Sequence, residues 1–232
     1  DTQAERQRYA RCLWATCVEH NIRKKQMLTQ NLPDFWESLY NNKKDYWNVG
    51  KPTPALLDFF NHPSCPKSGN VLVPGAGVGL DAEAWANRGH SVLAVDFCPT
   101  SVDALDKISR SNKNFRSLDL DLFSLSPKDP KKGGETFDIV YDYGTFTAIH
   151  PGRRDEFFEV CYKMMKDDAL LILLIYPISN GSTMQGPPHA TSEGELRARL
   201  DGIFDIVERI PVQNSLPGRE GKEEFWLLKK AL

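Results

Sequence analysis

The feature that most constrains the fold of this chain is a glycine-rich turn directly after a short apolar run. Residues 71–73 are apolar, and residues 75–79 read Gly-Ala-Gly-Val-Gly. Glycine lacks a Cβ, so it adopts positive φ and lets the backbone approach a ligand closely. A second apolar run, residues 91–95, ends at Asp96, about twenty residues past the turn, where a ribose diol needs an acceptor. Together the two signals predict a strand, turn and helix that bind a nucleotide.

The turn alone leaves two nucleotide cofactors open. Read from Gly75, the G-x-G-x-G pattern is typical of turns that bind S-adenosylmethionine in methyltransferases. Gly77, Gly79 and Ala82 equally satisfy the G-x-G-x-x-A form that binds dinucleotides. The choice therefore depends on the rest of the chain.

Size and composition restrict the possible partners. A chain of 232 residues suits one α/β domain. A net charge of −2 with both signs interspersed argues against nucleic acid, and no apolar run is long enough to span a membrane. The charged first residues predict no secretory leader. Cysteines and histidines lack metal-ligand spacing, so we expect no metal site and a cytoplasmic location.

Beyond residue 61, apolar runs alternate with helical patterns, which predicts a parallel sheet with helices on both faces. We expect strands near Val71, Val92, Phe115, Ile139 and Leu171, and helices over residues 82–87, 102–109 and 155–165. The last two apolar stretches, residues 203–210 and 224–228, are joined by a loop too short for a crossover helix, so they must pair as an antiparallel hairpin. A dinucleotide-binding sheet normally continues parallel, so this hairpin favours a methyltransferase.

The region before the sheet is predicted to be helical. Helical spacing of apolar residues indicates one helix over residues 3–28, a second from Pro33 and a third over residues 55–60. We therefore divide the chain into residues 1–60, a helical lid belonging to the same domain, and residues 61–232, the cofactor-binding domain.

Five segments together resemble the thiopurine S-methyltransferase family, especially its halide and thiol methyltransferase branch. They are residues 35–37, the W-x-x-G-x-P-T-P-x-L stretch at 47–56, the glycine turn at 71–81, residues 141–146 (Tyr-Asp-Tyr-Gly-Thr-Phe) and Gly-Pro-Pro at 186–188. The resemblance implies a class I methyltransferase fold. In that Rossmann-like fold, a mostly parallel seven-stranded sheet ends in an antiparallel C-terminal hairpin, with helices on both faces and an N-terminal helical lid.

The resemblance also implies a set of residues that bind S-adenosylmethionine. They are Trp36, Tyr40, Trp47, Gly75, Gly77, Asp96, Phe97, Asp121, Leu122 and Tyr141. The halide branch tends to have tryptophan at the position of Tyr40. Trp36 and Trp47 also have a physical reason to be there, since aromatic faces attract a sulfonium by about 0.5–2 kcal/mol. Asp119 competes with Asp121, because both stand in one alternating run of leucine and aspartate, and a slip of one residue exchanges the two faces of that run.

The acceptor side is predicted around the end of the fourth strand. Tyr143 and Asp142 lie at the carboxyl edge of that strand, where open α/β sheets bind ligands. The resemblance places Arg154 near the acceptor, where a guanidinium attracts anions, and gives Arg219 a weaker claim. His150 and His189 are candidate general bases. Gly186, Pro187 and Pro188 are expected to form a stiff wall.

We therefore expect an S-adenosylmethionine-dependent methyltransferase that releases S-adenosylhomocysteine. The methyl group passes by in-line displacement to a small soft nucleophile: a thiol, hydrosulfide, thiocyanate or halide. The alternative within the class is a phenolic or heteroaromatic, thiopurine-like acceptor. Outside it stand a nicotinamide-dependent dehydrogenase and a cofactor-binding module without activity. The expected partner is a small-molecule acceptor, with no nucleic acid or membrane, and the expected state is a monomer or weak dimer.

Overall fold

The structure, a computed structural model, describes residues 32–179 and 186–231. The helix predicted over residues 3–28 lies outside this part of the chain. Seven strands form one sheet. They are β1 (Asn70–Pro74), β2 (Ser91–Asp96), β3 (Phe115–Asp119), β4 (Phe137–Tyr143), β5 (Met165–Ile175), β6 (Phe204–Pro211) and β7 (Glu224–Lys230).

Helices precede the sheet and connect its strands. They are α1 (Pro33–Asn41), α2 (Pro54–Phe59), α3 (Leu80–Asn87), α4 (Pro99–Ser111), α5 (Thr145–Ala148), α6 (Arg154–Met164) and α7 (Glu193–Leu200). Proline is the first residue of α1, α2 and α4, where its missing N–H has no intrahelical partner to lose. The helices predicted from Pro33 and over residues 55–60 are therefore confirmed.

The sheet order is β3-β2-β1-β4-β5-β7-β6, and of these seven strands β7 alone runs antiparallel to its neighbours, β5 and β6. β7 is inserted between β5 and β6, with Leu173 opposite Trp226. This confirms the predicted mostly parallel sheet that ends in an antiparallel hairpin. The parallel strands share one carboxyl edge, and the loops that follow β1, β2 and β4 meet there.

Both faces of the sheet are covered by apolar side chains. Along β1, Leu72 belongs to one core cluster, while Val71 and Val73 belong to the cluster on the opposite face. The first cluster packs under α6 and the second under α2 and α3. Because neighbouring side chains on a strand point to opposite faces, both cores are filled by one continuous apolar run. The carboxyl edge of the sheet is left for a ligand.

Two helices are absent from the sequence-based expectations. α5 begins after Gly144, which adopts a φ of 88°. α7 begins after Ser192, whose hydroxyl accepts a hydrogen bond from the Glu195 amide. The spacing from Ser192 to Glu195 is a capping-box pattern that marks a helix start, so α7 had a readable signal. Every helix in the described ranges is too short or too polar to cross a lipid bilayer.

Candidate active site

A cavity of about 650 Å³ opens at the carboxyl edge of β1, β2 and β4. This volume lies within the range typical of small-molecule sites, about 300–1,000 Å³. Every residue predicted to bind the cofactor lines the cavity, and so does Tyr143. Asp142 and Arg154 do not line it. The structure therefore brings most of the predicted site together and leaves outside the cavity Asp142, Arg154 and the two candidate general bases, His150 and His189.

The glycine turn after β1 forms the floor of the cavity. Gly75, Gly77 and Gly79 have φ values of 62°, 56° and 86°, in the left-handed region that favours glycine. A Cβ on Gly75 would lie 2.5 Å from Thr145 Oγ1, so helix α5 packs directly on the turn. At Gly77 the nearest atom to such a Cβ is Tyr40 Oη at 3.5 Å. Gly77 is thus the position where the backbone remains open to a ligand.

Asp96, at the end of β2, holds the turn in place. Its carboxylate accepts hydrogen bonds from the amides of Gly77 at 2.8 Å, Phe97 at 2.8 Å and Cys98 at 2.9 Å. Burial raises the pKa of Asp96, and the three amides oppose that rise. A carboxylate offers about four acceptor positions. Three are used, so one is left for a hydroxyl in the cavity.

Three aromatic rings from α1 and the following loop cover the cavity. The Trp47 ring lies edge-on to Trp36 at 5.9 Å and to Tyr40 at 5.6 Å. The Tyr40 hydroxyl accepts hydrogen bonds from Trp47 Nε1 and from Ser101 Oγ, both at 3.2 Å. Burial raises the pKa of Tyr40 to about 12, so this hydroxyl stays neutral. The lid thus presents uncharged aromatic rings to the cavity.

Glu37 attaches the lid to the sheet domain. From α1 it accepts hydrogen bonds from the Thr100 amide at 2.9 Å, Thr100 Oγ1 at 2.8 Å and Cys98 Sγ at 3.1 Å. The bond from the Thr100 amide is the main reason that the Glu37 pKa is lowered. Thr100 lies at the start of α4, where an N-terminal helix end stabilises negative charge. Spacing in the sequence does not reveal this role, because Thr100 lies 63 positions from Glu37.

Asp81 makes a second attachment between the lid and the sheet. It accepts hydrogen bonds from the Thr53 amide at 2.7 Å, Thr53 Oγ1 at 2.8 Å and the Tyr141 hydroxyl at 2.8 Å. Burial raises the pKa of Asp81, against these three bonds. Tyr141 is fully buried, and its side chain forms part of the cavity lining. The only signal for Asp81 was its place at the end of the glycine motif.

Asp121, rather than Asp119, lines the cavity. Asp119 is the exposed last residue of β3, in register with Asp96. Asp121 accepts a hydrogen bond from the Phe123 amide at 3.0 Å and so caps a short 3₁₀ turn, Leu122–Ser124. β3 ends at Asp119, and the chain then turns so that Asp121, and not Asp119, lines the cavity.

The end of the cavity beyond β4 is built around Tyr143. Its hydroxyl donates to Glu223 Oε1 at 2.9 Å and accepts a hydrogen bond from the Arg219 guanidinium. Arg219 also stacks over the ring of Tyr176 at 4.6 Å, and Pro187 forms part of the neighbouring wall. Both Arg219 and Glu223 come from the loop that precedes β7. Of the two, only Arg219 lines the cavity.

Asp142 lies on the other face of β4, away from the cavity. It is 1% exposed, and its Oδ2 accepts a hydrogen bond from the Phe146 amide at 3.2 Å. Burial raises its pKa to about 7. Strand side chains alternate, so Tyr141 and Tyr143 share one face and Asp142 takes the other. This geometry gives Asp142 a helix-capping position at α5, not contact with an acceptor.

Arg154, which the resemblance places near the acceptor, is fully buried behind the cavity wall. Its guanidinium donates to the His189 carbonyl and to Glu195 Oε1, both at 2.8 Å. It also lies 4.6 Å from the Phe146 ring centre. Arg154 thus connects α6 to α7 and to the segment that carries the prolines. The neighbouring Arg153 is the arginine of this pair that lines the cavity.

The two candidate histidines lie outside the cavity lining. Their rings are 5.8 Å apart, and His150 Nδ1 accepts a hydrogen bond from the Gly152 amide at 3.1 Å. Burial lowers the pKa of His189 to about 4. Within residues 32–179 and 186–231, no group of three or more His, Cys, Asp or Glu side chains is arranged to hold a metal ion.

Comparison with known proteins adds a family to this geometry. The family model described as thiopurine S-methyltransferase matches residues 31–227. A probable thiol methyltransferase 2 of Arabidopsis thaliana is 30% identical over 210 residues, which cover 89% of each chain. Thiocyanate methyltransferase 1 of the same plant is 29% identical, with 84% of each chain covered. A thiopurine S-methyltransferase of Methylococcus capsulatus is 28% identical, covering 86% of this chain and 98% of its own.

Among solved structures, the fold is similar to that of 1,6-didemethyltoxoflavin-N1-methyltransferase from Burkholderia thailandensis. The TM-score is 0.66 at 21% identity, with 87% of this chain and 88% of that chain covered. That structure contains its substrate and S-adenosylhomocysteine. At this level of identity the likeness shows the fold.

Proposed function

The chain belongs to the thiopurine S-methyltransferase family and is an S-adenosylmethionine-dependent methyltransferase, and we propose that its acceptor is a small soft nucleophile. Acceptors of this kind are thiols, hydrosulfide, thiocyanate and halides. The plant relatives named for thiol and thiocyanate methylation support this choice.

The residues present fit S-adenosylmethionine. Gly77 leaves the backbone open, and Asp96 keeps an acceptor position for a ribose hydroxyl. The electron-rich rings of Trp36 and Trp47 suit a cation. We assign the adenine amino group to Asp121. When bound, S-adenosylmethionine supplies an electrophilic methyl group on a positively charged sulfur.

One observation carries the choice of acceptor: the Arg219 guanidinium lies among aromatic rings in the part of the cavity that Tyr143 and Tyr176 line. It contacts the Tyr143 hydroxyl and stacks over Tyr176. Guanidinium attracts anions and is more weakly hydrated than an ammonium group, so it suits an anion that is itself weakly hydrated. Aromatic and proline walls favour polarisable ligands over strongly hydrated ones. A thiolate, thiocyanate or iodide meets both conditions.

The protein accelerates such a reaction chiefly by positioning. The aromatic rings of α1 and the following loop exclude water from the cavity, while Tyr143 and Arg219 orient the nucleophile. Holding two reactants at near-attack distance lowers the activation free energy by up to about 7–11 kcal/mol in favourable systems. A soft anion needs no covalent enzyme intermediate, and it needs no deprotonation.

A flat heteroaromatic thiol is the second candidate. The rings of Tyr143 and Tyr176 and the Pro187 wall offer surfaces on which such an acceptor stacks. The Methylococcus capsulatus relative is named for thiopurine methylation. This alternative requires that the acceptor end of the cavity accommodate a bicyclic ring.

The deciding experiment uses methyl-labelled S-adenosylmethionine and follows release of S-adenosylhomocysteine. The panel contains iodide, thiocyanate, hydrosulfide, an aliphatic thiol, a thiophenol, a thiopurine and a catechol. Turnover of the small nucleophiles supports the proposal, whereas turnover of the aromatic acceptors alone selects the alternative. Absence of S-adenosylhomocysteine binding by calorimetry contradicts the cofactor assignment as well.

We also propose a cytoplasmic monomer or weak dimer. Cys65, Cys98 and Cys161 are buried free thiols, as is common in a reducing compartment. Sedimentation equilibrium of the full chain tests its state of assembly.

A further inference from the structure

Behind Tyr143 lies a buried carboxylate that the proposed function does not use. Glu223 is 4% exposed, and its Oε1 lies 2.9 Å from Tyr143 Oη and 3.7 Å from the Arg219 guanidinium. Its Oε2 is buried and has no hydrogen-bond partner in the described part of the chain. Glu223 does not line the cavity, so any effect on an acceptor passes through Tyr143.

The three groups together fix the direction of the Tyr143 proton. A carboxylate only accepts hydrogen bonds, and a guanidinium only donates them. The single phenolic proton of Tyr143 is therefore directed to Glu223, while Arg219 donates to the phenolic oxygen. What Tyr143 presents to the cavity is a lone pair on oxygen.

We propose that Glu223 is a positioning residue that makes the Tyr143 hydroxyl a proton acceptor and thereby favours acceptors that still carry a proton. Such acceptors are neutral aliphatic thiols and hydrogen sulfide. Thiocyanate and iodide have no proton to give and gain nothing from this arrangement. The inference rests on the proposed function and narrows its substrate class.

The proton transfer balances without another reactant. The acceptor S–H bond breaks, and its proton passes to Tyr143 Oη as the Tyr143 proton passes to Glu223 Oε1. Sulfur keeps the electron pair with which it takes the methyl group. The carboxylate becomes neutral as the thiol becomes a thiolate, and the Arg219 guanidinium stabilises negative charge on the oxygen between them. The cysteine thiol has a reference pKa of about 8.5, and simple aliphatic thiols are no more acidic, so such an acceptor arrives mostly protonated at neutral pH.

The charged surroundings of Glu223 suit this role. Burial is the largest cause that raises its pKa, and Glu220 raises it further. Arg219 and the nearby Ser215 lower it, although no hydrogen bond of normal geometry joins Ser215 to Glu223. Tyr141 faces Glu223 from β4, and its own pKa is raised well above its usual value, so it stays neutral. Burial raises the pKa of Asp142 to about 7, but Asp142 lies on the opposite face of β4. Any effect of its titration on turnover should therefore be the same for every acceptor.

The test compares two acceptors, 2-mercaptoethanol and thiocyanate, over a pH series with the wild-type chain and Glu223→Gln. We expect the variant to lose about a hundredfold in kcat for the thiol with little change in KM, as removal of a proton acceptor typically does. Turnover of thiocyanate should stay within about twofold of wild type. In the wild type, thiol turnover should fall on the acid side above the ordinary Glu pKa of 4.5, and the variant should lack this fall. Titration of Asp142 would instead affect both acceptors equally.

Glu159→Gln is the matched control, because Glu159 is exposed on α6 and does not line the cavity. Calorimetry with S-adenosylhomocysteine should give the same affinity for all variants. If Glu223→Gln unfolds, the wild-type pH series still tests the proposal, because the acid-side fall should appear with the thiol and not with thiocyanate. Glu223→Asp, which keeps the carboxylate, should retain the acid-side fall. Equal losses on both acceptors overturn the role of Glu223 while leaving the proposed function intact. Wild type that binds S-adenosylhomocysteine but turns over neither acceptor overturns both.

Discussion

The two ends of the cavity are built from different materials. At the cofactor end, glycines and backbone amides form the floor of the cavity. The Gly77 amide donates to Asp96 across only 19 positions of sequence. At the acceptor end, side chains meet across long separations: Tyr143 is 80 positions from Glu223 and 76 from Arg219. The glycine turn with Asp96 is therefore one local motif, while the acceptor end exists only when β4 and the hairpin loop are folded together.

The sharpest test of this contrast is Arg154→Met. The side chain is fully buried and joins α6 to the His189 carbonyl and to Glu195. Removing the guanidinium takes a hydrogen-bond donor from the His189 carbonyl, while Glu195 keeps its pair with Arg199, so we expect the free energy of unfolding to fall by about 1–3 kcal/mol. Affinity for S-adenosylhomocysteine should stay within about threefold. Urea denaturation and calorimetry measure the two quantities.

Arg197→Met serves as the control for Arg154→Met. Arg197 pairs with Glu193 on the exposed side of α7, and such pairs contribute about 0–1 kcal/mol. If the Arg154→Met variant is as stable as wild type but loses affinity for an anionic acceptor, Arg154 acts at the acceptor site instead.

Asp96→Ala should produce the largest change at the cofactor end. It removes the acceptor position left for the ribose and releases the amides of Gly77, Phe97 and Cys98. Hydrogen bonds to a charged group contribute about 1.5–3 kcal/mol, so the dissociation constant for S-adenosylhomocysteine should rise about a hundredfold. Asp119→Ala, at the register partner on β3, should change it less than about twofold. Similar values for the two variants would remove Asp96 from the cofactor site.

Gly75→Ala tests whether the cofactor end depends on close backbone packing. Gly75 and Gly202 have similar positive φ values, 62° and 69°, so alanine is strained by about 1–2 kcal/mol at either. Only at Gly75 does the added Cβ meet a neighbour, Thr145 Oγ1 at 2.5 Å. We expect Gly75→Ala to lose about 1–3 kcal/mol more stability than Gly202→Ala in matched urea titrations. Equal losses would mean that α5 moves away easily.

The smallest expected effect is that of Glu37→Gln, at the contact between α1 and the start of α4. The hydrogen bonds from Thr100 and Cys98 lower the Glu37 pKa below 4.5, so its stabilisation is complete above that pH and is lost as the pH falls through the lowered value. Affinity for S-adenosylhomocysteine at neutral pH should weaken a few-fold in the variant, and the difference should disappear in acid. Asp34→Asn, at the exposed start of the same helix, is the control. A difference that persists in acid would contradict a role for the Glu37 charge.

The sequence predicted the parts of the fold that repeat a local pattern. The apolar runs of β1 and β2, the helix from Pro33, the helix near residues 55–60 and the antiparallel hairpin all appear as expected. It did not distinguish Arg153 from Arg154. Both are consecutive arginines at the start of α6, and which one enters the core depends on α7 and the segment before it.

By itself, the sequence determined the family, the order of the elements and the cofactor end of the cavity. Positive φ at glycine and hydrogen bonds between the ends of adjacent strands are local properties, so they can be read from spacing. Only the tertiary structure decided which charged groups meet at the acceptor end. Tyr143, Arg219 and Glu223 come together because β7 inserts beside β5, and no local pattern encodes a contact between residues 80 positions apart.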